Sequence, residues 1–352
     1  MGSANIFAPI FIHSSFRTSS TWIWSKFRAD PAVVAYYECF HESLQSFSAI
    51  DVERLRPNIW DSGHPQMQPY FLEYLPLLRK EGGVAGFEQS MAFERFFPLK
   101  GYNGSLSRAE KAYVKRLIGR ATYPQRTPCL TCKRSLGRLR ALKRLVGGTH
   151  IVLQRQLLQQ WRSYREQARL GNFYFLAKLL HTIALNEHEP FIAFLGDFIR
   201  NRPGGTADIV NSELDNDDLF VAFVAFHFYL YLITSDDCDL VIRTSDLPDP
   251  DYRHAIENLL GSFTGLAIDF GDAREWFISP SDLLRSVEKA RRSVEELCDR
   301  ALHDADKSSS QAEACWPLLK ELYENESSYR ESPMSGTRAH QTIGRGRRIA
   351  AA

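Results

Sequence analysis

Five short apolar runs constrain this chain more than anything else in it. They are Ile6 to His13, Val33 to Tyr37, the stretch around Cys129 in TPCLTC, THIVLQR ending at Arg155, and DLVIR from Asp239 to Arg243. Each has strand length and is bounded by polar, Gly or Pro residues. Between them lie segments with apolar residues at helical spacing. Strands that alternate with helices pair in parallel, because each crossover lays a helix across the sheet. The expected fold is α/β, with three layers about a central parallel sheet and extra helices.

The helical segments can be bounded from local chemistry. One runs from Thr21 to Ala29 and stops at Asp30 and Pro31. A charged helix spans Ser107 to Ala121, and a basic one spans Leu136 to Val146 and closes on Gly147 and Gly148. Another covers Gln156 to Leu170, and a helical region follows Asn172 as far as Arg200. Leu219 to Ile233 reads as a buried helix, Ser281 to His303 as an amphipathic one, and ACWPLLKELYEN as another. The region from Ser43 to Tyr123 is irregular, a covering of helices and loops. These elements divide into an α/β domain over 1–275, C-terminal helices packing on it over 276–326, and a polar tail over 327–352. The RGRR of that tail, Arg345 to Arg348, reads as a solubilising terminus.

Composition narrows the function classes. With 352 residues, 44% hydrophobic and 24% charged, the chain can bury a sizeable core. A formal net charge of +1 gives no global field for nucleic acid or an anionic membrane, so any anion site must be local. The run Ile6 to Ile12 is too short for a signal peptide or a span, and the apolar stretch at Leu219 carries His227. A cytoplasmic protein without a membrane span is expected. The six cysteines are scattered, as in a reduced chain. Cys129 and Cys132 form a C-x-x-C with no second pair or histidine nearby, so no metal centre is expected.

The chemistry concentrates in IFIHSSFRTSSTWIW. The first strand empties into Ser14, Ser15, Arg17, Thr18, Ser19, Ser20 and Thr21 before the first helix. A sharp strand-to-helix turn points unpaired N–H groups outward, and the hydroxyls and guanidinium add donors, so the turn suits a polyanion. Spacing alone equally fits an ordinary helix cap by Ser20 or Thr21. The ATP cradle G-x-x-x-x-G-K-[ST] is absent, with no glycine between Phe11 and Thr21 and no lysine before Lys26. A magnesium-dependent kinase is therefore disfavoured.

SSFRTSSTWIW resembles the 5'-phosphosulfate-binding loop of sulfotransferases, in which Arg or Lys, Ser, Gly and two Ser or Thr lead into an apolar helix. Arg17, Thr18, Ser19, Ser20 and Thr21 fall on that pattern and Trp22 opens the helix. Ser19 stands where glycine is usual. THIVLQRQLLQQWRSY is similar to the family's 3'-phosphate segment, with Arg155 at the strand end and Ser163 eight residues later. Leu157 occupies the place of the family's proline. Ser245, Asp246 and Leu247 sit where the family has an acidic loop after a late strand. The resemblance, of the carbohydrate and bacterial type, implies a nucleoside-triphosphate-hydrolase-like sulfotransferase fold. It implies 3'-phosphoadenosine 5'-phosphosulfate as co-substrate and no metal.

Sulfuryl transfer needs a cation on the leaving oxygens and a base for the acceptor hydroxyl. Arg17 fits the first role. Glu38 is the expected base, after the second strand in YECFHE where related enzymes carry a glutamate; His41 is second and Glu42 third. His13 and Arg134, both at strand ends, are candidates for contact with donor or acceptor. Arg138, Arg140, Lys143 and Arg144 read as a solvated basic helix face. The aromatic segment Trp60 to Phe97 offers stacking faces for a sugar or phenol, or simply covers the sheet. The implied acceptor is a carbohydrate or glycolipid hydroxyl. A tyrosyl or phenol acceptor remains an alternative, as does a non-catalytic nucleotide-binding or scaffold protein with the same fold.

Overall fold

A computed structural model describes residues 8–54, 69–275, 284, 286–308, 313 and 315–324. The apolar runs become five strands: β1 (Ile10–His13), β2 (Val33–Tyr36), β3 (Thr127–Cys132), β4 (Thr149–Gln154) and β5 (Leu240–Arg243). They form one sheet in the order β2-β3-β1-β4-β5, with every neighbouring pair parallel. The helices are α1 (Ser20–Ala29), α2 (Ala49–Arg54), α3 (Arg108–Thr122), α4 (Leu139–Val146), α5 (Leu157–Arg169), α6 (Tyr174–Leu185), α7 (Pro190–Arg200), α8 (Asn216–Thr234), α9 (Pro250–Thr264), α10 (Val287–Asp304) and α11 (Lys320–Glu324).

The strands are apolar because both sheet faces are covered. Every residue of β1 to β4 is buried. On β4, Val152 joins one core while Ile151 and Leu153 join the other, the alternation a two-sided sheet demands. The Val152 side is closed by α5 to α8 and α10 through Trp161, Leu195, Phe223 and Val294. The opposite side is closed by α1, α3 and α9 through Trp24, Phe27, Tyr113 and Leu260. Helix α8 is long and apolar enough to cross a membrane by composition, yet 94% of its apolar window is buried within the fold. Gly148 lets β4 enter beside β1: its φ is +89°, and a Cβ there would sit 2.1 Å from the Pro9 carbonyl oxygen.

Several local expectations change. The helical region after Asn172 is two helices, broken where Asn186 bonds the backbone at Phe93, Phe97 and Thr182, before Pro190 opens α7. The expected basic face is not solvated as a whole. Arg138 is fully buried, 3.1 Å from Glu110, donating to the Met91 carbonyl and stacked on Phe40. Arg140 and Lys143 pair with Asp237 and Asp239, which leaves Arg144 exposed. The last of the basic residues thus behaves as expected and the first three do not, because acids from distant segments meet them. Residues 60–68 of the aromatic segment, and the RGRR tail, lie outside the described residues.

The chain leaves β1 for β2 in one direction across the sheet and leaves β3 for β4 in the other. Such a reversal opens a crevice at the carboxyl edge, next to the central strand. The loop after β1 lies there.

Candidate functional site at the carboxyl edge of the sheet

Ser14 extends the β1 pairing by donating its N–H to the Cys132 carbonyl at 3.1 Å, and then the backbone turns. Arg17 and Ser19 both adopt left-handed conformations, with φ of 64° and 58°. The position where the resembling loops carry glycine therefore does require positive φ, and serine takes it at a cost of roughly 1 kcal/mol. Helix α1 starts directly afterwards with no side-chain cap. Ser20 and Thr21 lie inside the helix, so the ordinary cap that spacing allowed is not what these hydroxyls form. The contrast with α3 is clear, where Ser107 and Glu110 make a complete capping box.

The two distant segments of the sequence meet at this turn. Arg17 Nε donates to Ser163 Oγ at 2.7 Å, and Arg155 Nη1 donates to the Arg17 carbonyl at 3.1 Å. Gln160 holds the Phe16 carbonyl at 2.7 Å. The Arg17 guanidinium lies over the Phe175 ring and, among the described residues, has no carboxylate within ion-pair distance. Burial pulls its pKa below the ordinary arginine value. Thr18 bonds back to the Ser15 carbonyl, and Thr21 shares a hydrogen bond with the Tyr37 hydroxyl. Trp22, expected at the donor, points its indole to Asp272 instead, at 3.3 Å, and packs on Phe270, because its place on α1 faces the segment after α9.

A second cluster adjoins the first. Lys133 donates to the Tyr37 hydroxyl at 2.9 Å and stands 3.3 Å from Glu38. Arg134 spans Glu38 at 2.7 Å and Glu42 at 2.6 Å, and also donates to Tyr174. A polar chain thus runs from Thr21 through Tyr37, Lys133, Glu38 and Arg134 to Glu42 and Tyr174. Glu38 lies just past β2, buried, at a φ of 47°. Its carboxylate is held by two cations, so accepting a proton would break a buried ion pair. That is the physical obstacle to its expected role as base. Burial opposes charge on Glu42, but Arg134 and its other partners outweigh this and bring the carboxyl down to about 2.

His41 fares no better as a free base. Its Nδ1 accepts the Ser43 N–H, and loss of hydration, then Arg134, push it down to about 3. Arg134, expected to be free for a ligand, is consumed by its two acids. His13 is turned inward: Nδ1 meets Ser135 at 2.8 Å and Nε2 meets His150 at 2.9 Å. His150 Nε2 in turn lies 3.1 Å from the Gly147 carbonyl, and the Ser135 hydroxyl donates to the Cys132 carbonyl, so the two rings are tied into the strand-end backbone. Burial, and for His13 also His150, lowers both, His150 to about 4. Cys129 and Cys132 are buried in β3.

The fold adds groups that local sequence does not announce: Tyr37, Lys133, Tyr164, Tyr174, Lys178 and His227. Of these, only Lys133 has a sequence signal, as the neighbour of a strand-end arginine. Tyr37 directly follows β2, and the others arrive on α5, α6 and α8, helices whose patterning speaks only of burial. In comparisons with known proteins, no family model, curated protein or solved structure matches this chain.

Proposed function

We propose that this chain transfers the sulfuryl group of 3'-phosphoadenosine 5'-phosphosulfate to a hydroxyl, of the carbohydrate or glycolipid kind, on a nucleoside-triphosphate-hydrolase-like fold. The observation that carries the proposal is the meeting of Arg17, Arg155 and Ser163 at an uncapped helix start, around an Arg17 guanidinium with no carboxylate partner among the described residues. A cation so placed favours an anionic ligand, and the first N–H groups of α1 add donors for the same charge. Arg17 would offset negative charge on the leaving oxygens, with Thr18 to Ser20 lining the turn. Arg155 and Ser163 would hold the 3'-phosphate. The transfer is an in-line displacement, and most of its acceleration would come from this fixed positive environment.

The test is calorimetric titration with 3'-phosphoadenosine 5'-phosphate in chelator, beside ATP and 5'-AMP. Binding that requires the 3'-phosphate, and that weakens about 100-fold in Arg155→Ala, is the expected result. Equal binding of all three nucleotides, or none, overturns it. A second reading, nucleotide binding without turnover, is favoured by one observation, the hold of Lys133 and Arg134 on Glu38. It predicts the same titration with no sulfated product from any alcohol or phenol.

A further inference from the structure

Beside Arg17 the loop carries a pair that the roles assigned so far leave unused. Ser15 Oγ lies 2.5 Å from His227 Nε2, and His227 Nδ1 lies 2.8 Å from the Phe223 carbonyl. The carbonyl only accepts, so Nδ1 bears the proton and Nε2 is the free lone pair. The hydrogen bond to Ser15 therefore has one direction: the serine donates and the imidazole accepts. Ser15 and His227 are both buried, and both open on a small recess shared with Phe16, Lys133, Arg134 and Lys178. Lys178, from α6, has no carboxylate within ion-pair distance among the described residues.

We propose that Ser15 and His227 form a proton relay that activates the acceptor hydroxyl. The inference rests on the sulfuryl-transfer proposal and supplies the base that Glu38, held by two cations, is badly placed to be. In the step, the acceptor oxygen attacks sulfur. The bond from sulfur to the bridging phosphate oxygen breaks, and its electron pair leaves with the phosphate. The acceptor proton passes to Ser15 Oγ as the serine's own proton passes to His227 Nε2. The imidazolium later releases that proton to water. Ser15 is the group that touches the acceptor; His227 acts through it and fixes its direction.

The surroundings suit this use. His227 faces Ser15 from the loop after β1, Tyr164 from α5, and Tyr231 one turn along α8, with Lys133, Arg134 and Lys178 across the recess. No carboxylate is among these groups. Burial keeps the resting imidazole neutral near pH 7, the form a base needs, with its pKa down to about 4. Charging it becomes easier once negative charge gathers on the transferring group.

The experiment uses the full chain with 3'-phosphoadenosine 5'-phosphosulfate and two acceptors, 2-naphthol and trehalose. A phenol ionises near pH 10 and needs little help, whereas a sugar alcohol needs a base throughout. His227→Gln and Ser15→Ala should lower kcat on trehalose about 100-fold or more, and on naphthol by far less. They should leave the affinity for 3'-phosphoadenosine 5'-phosphate within about 3-fold, and Ser15→Thr should restore part of the trehalose rate. The acid limb of the wild-type kcat profile, lying below pH 6.5, should vanish in His227→Gln. Equal losses on both acceptors or an unchanged pH profile overturns the relay alone, whereas a wild-type chain that binds the nucleotide but sulfates neither acceptor overturns the transfer and the relay together and supports nucleotide binding without turnover. Failure of the wild type to bind the nucleotide overturns the donor proposal and the relay with it. Thermal melts of each variant identify any loss that comes from misfolding, and Ser15→Thr carries the test if His227→Gln does not fold.

Discussion

Arg17 and Arg134 invite comparison. Both follow parallel strands at the same sheet edge and both lie against Phe rings, Arg134 fully buried and Arg17 half-buried. Arg134 has Glu38 and Glu42 within 2.7 Å, while Arg17 has the neutral Ser163 hydroxyl at 2.7 Å and no acid among the described residues. Their partners set the direction in which each pKa moves. Burial opposes charge at each, but the acids and Tyr174 raise Arg134 above its ordinary pKa, whereas Arg17 stays lowered. A buried cation whose charge is matched within the fold is structure. One whose charge is unmatched is stabilised when an anion arrives.

The largest effect should come from the matched arginine. Arg134→Met leaves Glu42 without its arginine and the buried Glu38 with Lys133 alone, and should cost about 3–5 kcal/mol in urea unfolding. A loss below about 1 kcal/mol would mean the two arginines are alike. Next in size, Arg17→Met should leave unfolding in the absence of ligand within about 1 kcal/mol of wild type, or raise it. It should also weaken 3'-phosphoadenosine 5'-phosphate by about 100-fold, read by calorimetry. Substantial destabilisation without ligand would remove the contrast from which the anion site is argued.

Acid titration sharpens the same comparison. The Glu42 carboxyl sits at about 2 in the fold against an ordinary value of 4.5. Its contribution is therefore complete above pH 4.5 and lost as pH falls through 2, with a slope of up to about 1.4 kcal/mol per pH unit. Stability measured from pH 5 to 2 should show this loss in the wild type and less of it in Arg134→Met. Arg17→Met should leave the slope unchanged, since Ser163 does not titrate. The smallest effect lies in the backbone. Ser19→Gly relieves a left-handed serine and should stabilise by up to about 1 kcal/mol, with nucleotide affinity retained. Any destabilisation there would assign the Ser19 side chain a contact that the turn itself does not require.

The strands were legible because their message is local. A run such as THIVLQ can be buried on both faces only in a covered sheet, and Gly147 with Gly148 marks where its preceding helix ends. The place of the Ser-rich turn was legible for the same reason, while the left-handed backbone at Ser19 emerged only in the fold. The acid and base roles were not. Glu38 reads as a free strand-end acid until Lys133 and Arg134, 95 and 96 residues away, close on it. The expected basic face failed similarly once Glu110, Asp237 and Asp239 were brought to Arg138, Arg140 and Lys143.

By itself, then, the sequence determined the alternation of strand and helix, the two-sided burial of the sheet and the place of the donor-rich turn. These depend on residue period, turn chemistry and cap composition, which act over a few residues. Only the tertiary structure decided which charges are spent on one another and which stay available. It paired Arg134 with two acids, left Arg17 without one among the described residues, and set His227 of a core helix against Ser15, 212 residues earlier. The physical reason is that a charge is judged by everything within a few ångströms of it, and those neighbours are chosen by how the layers pack.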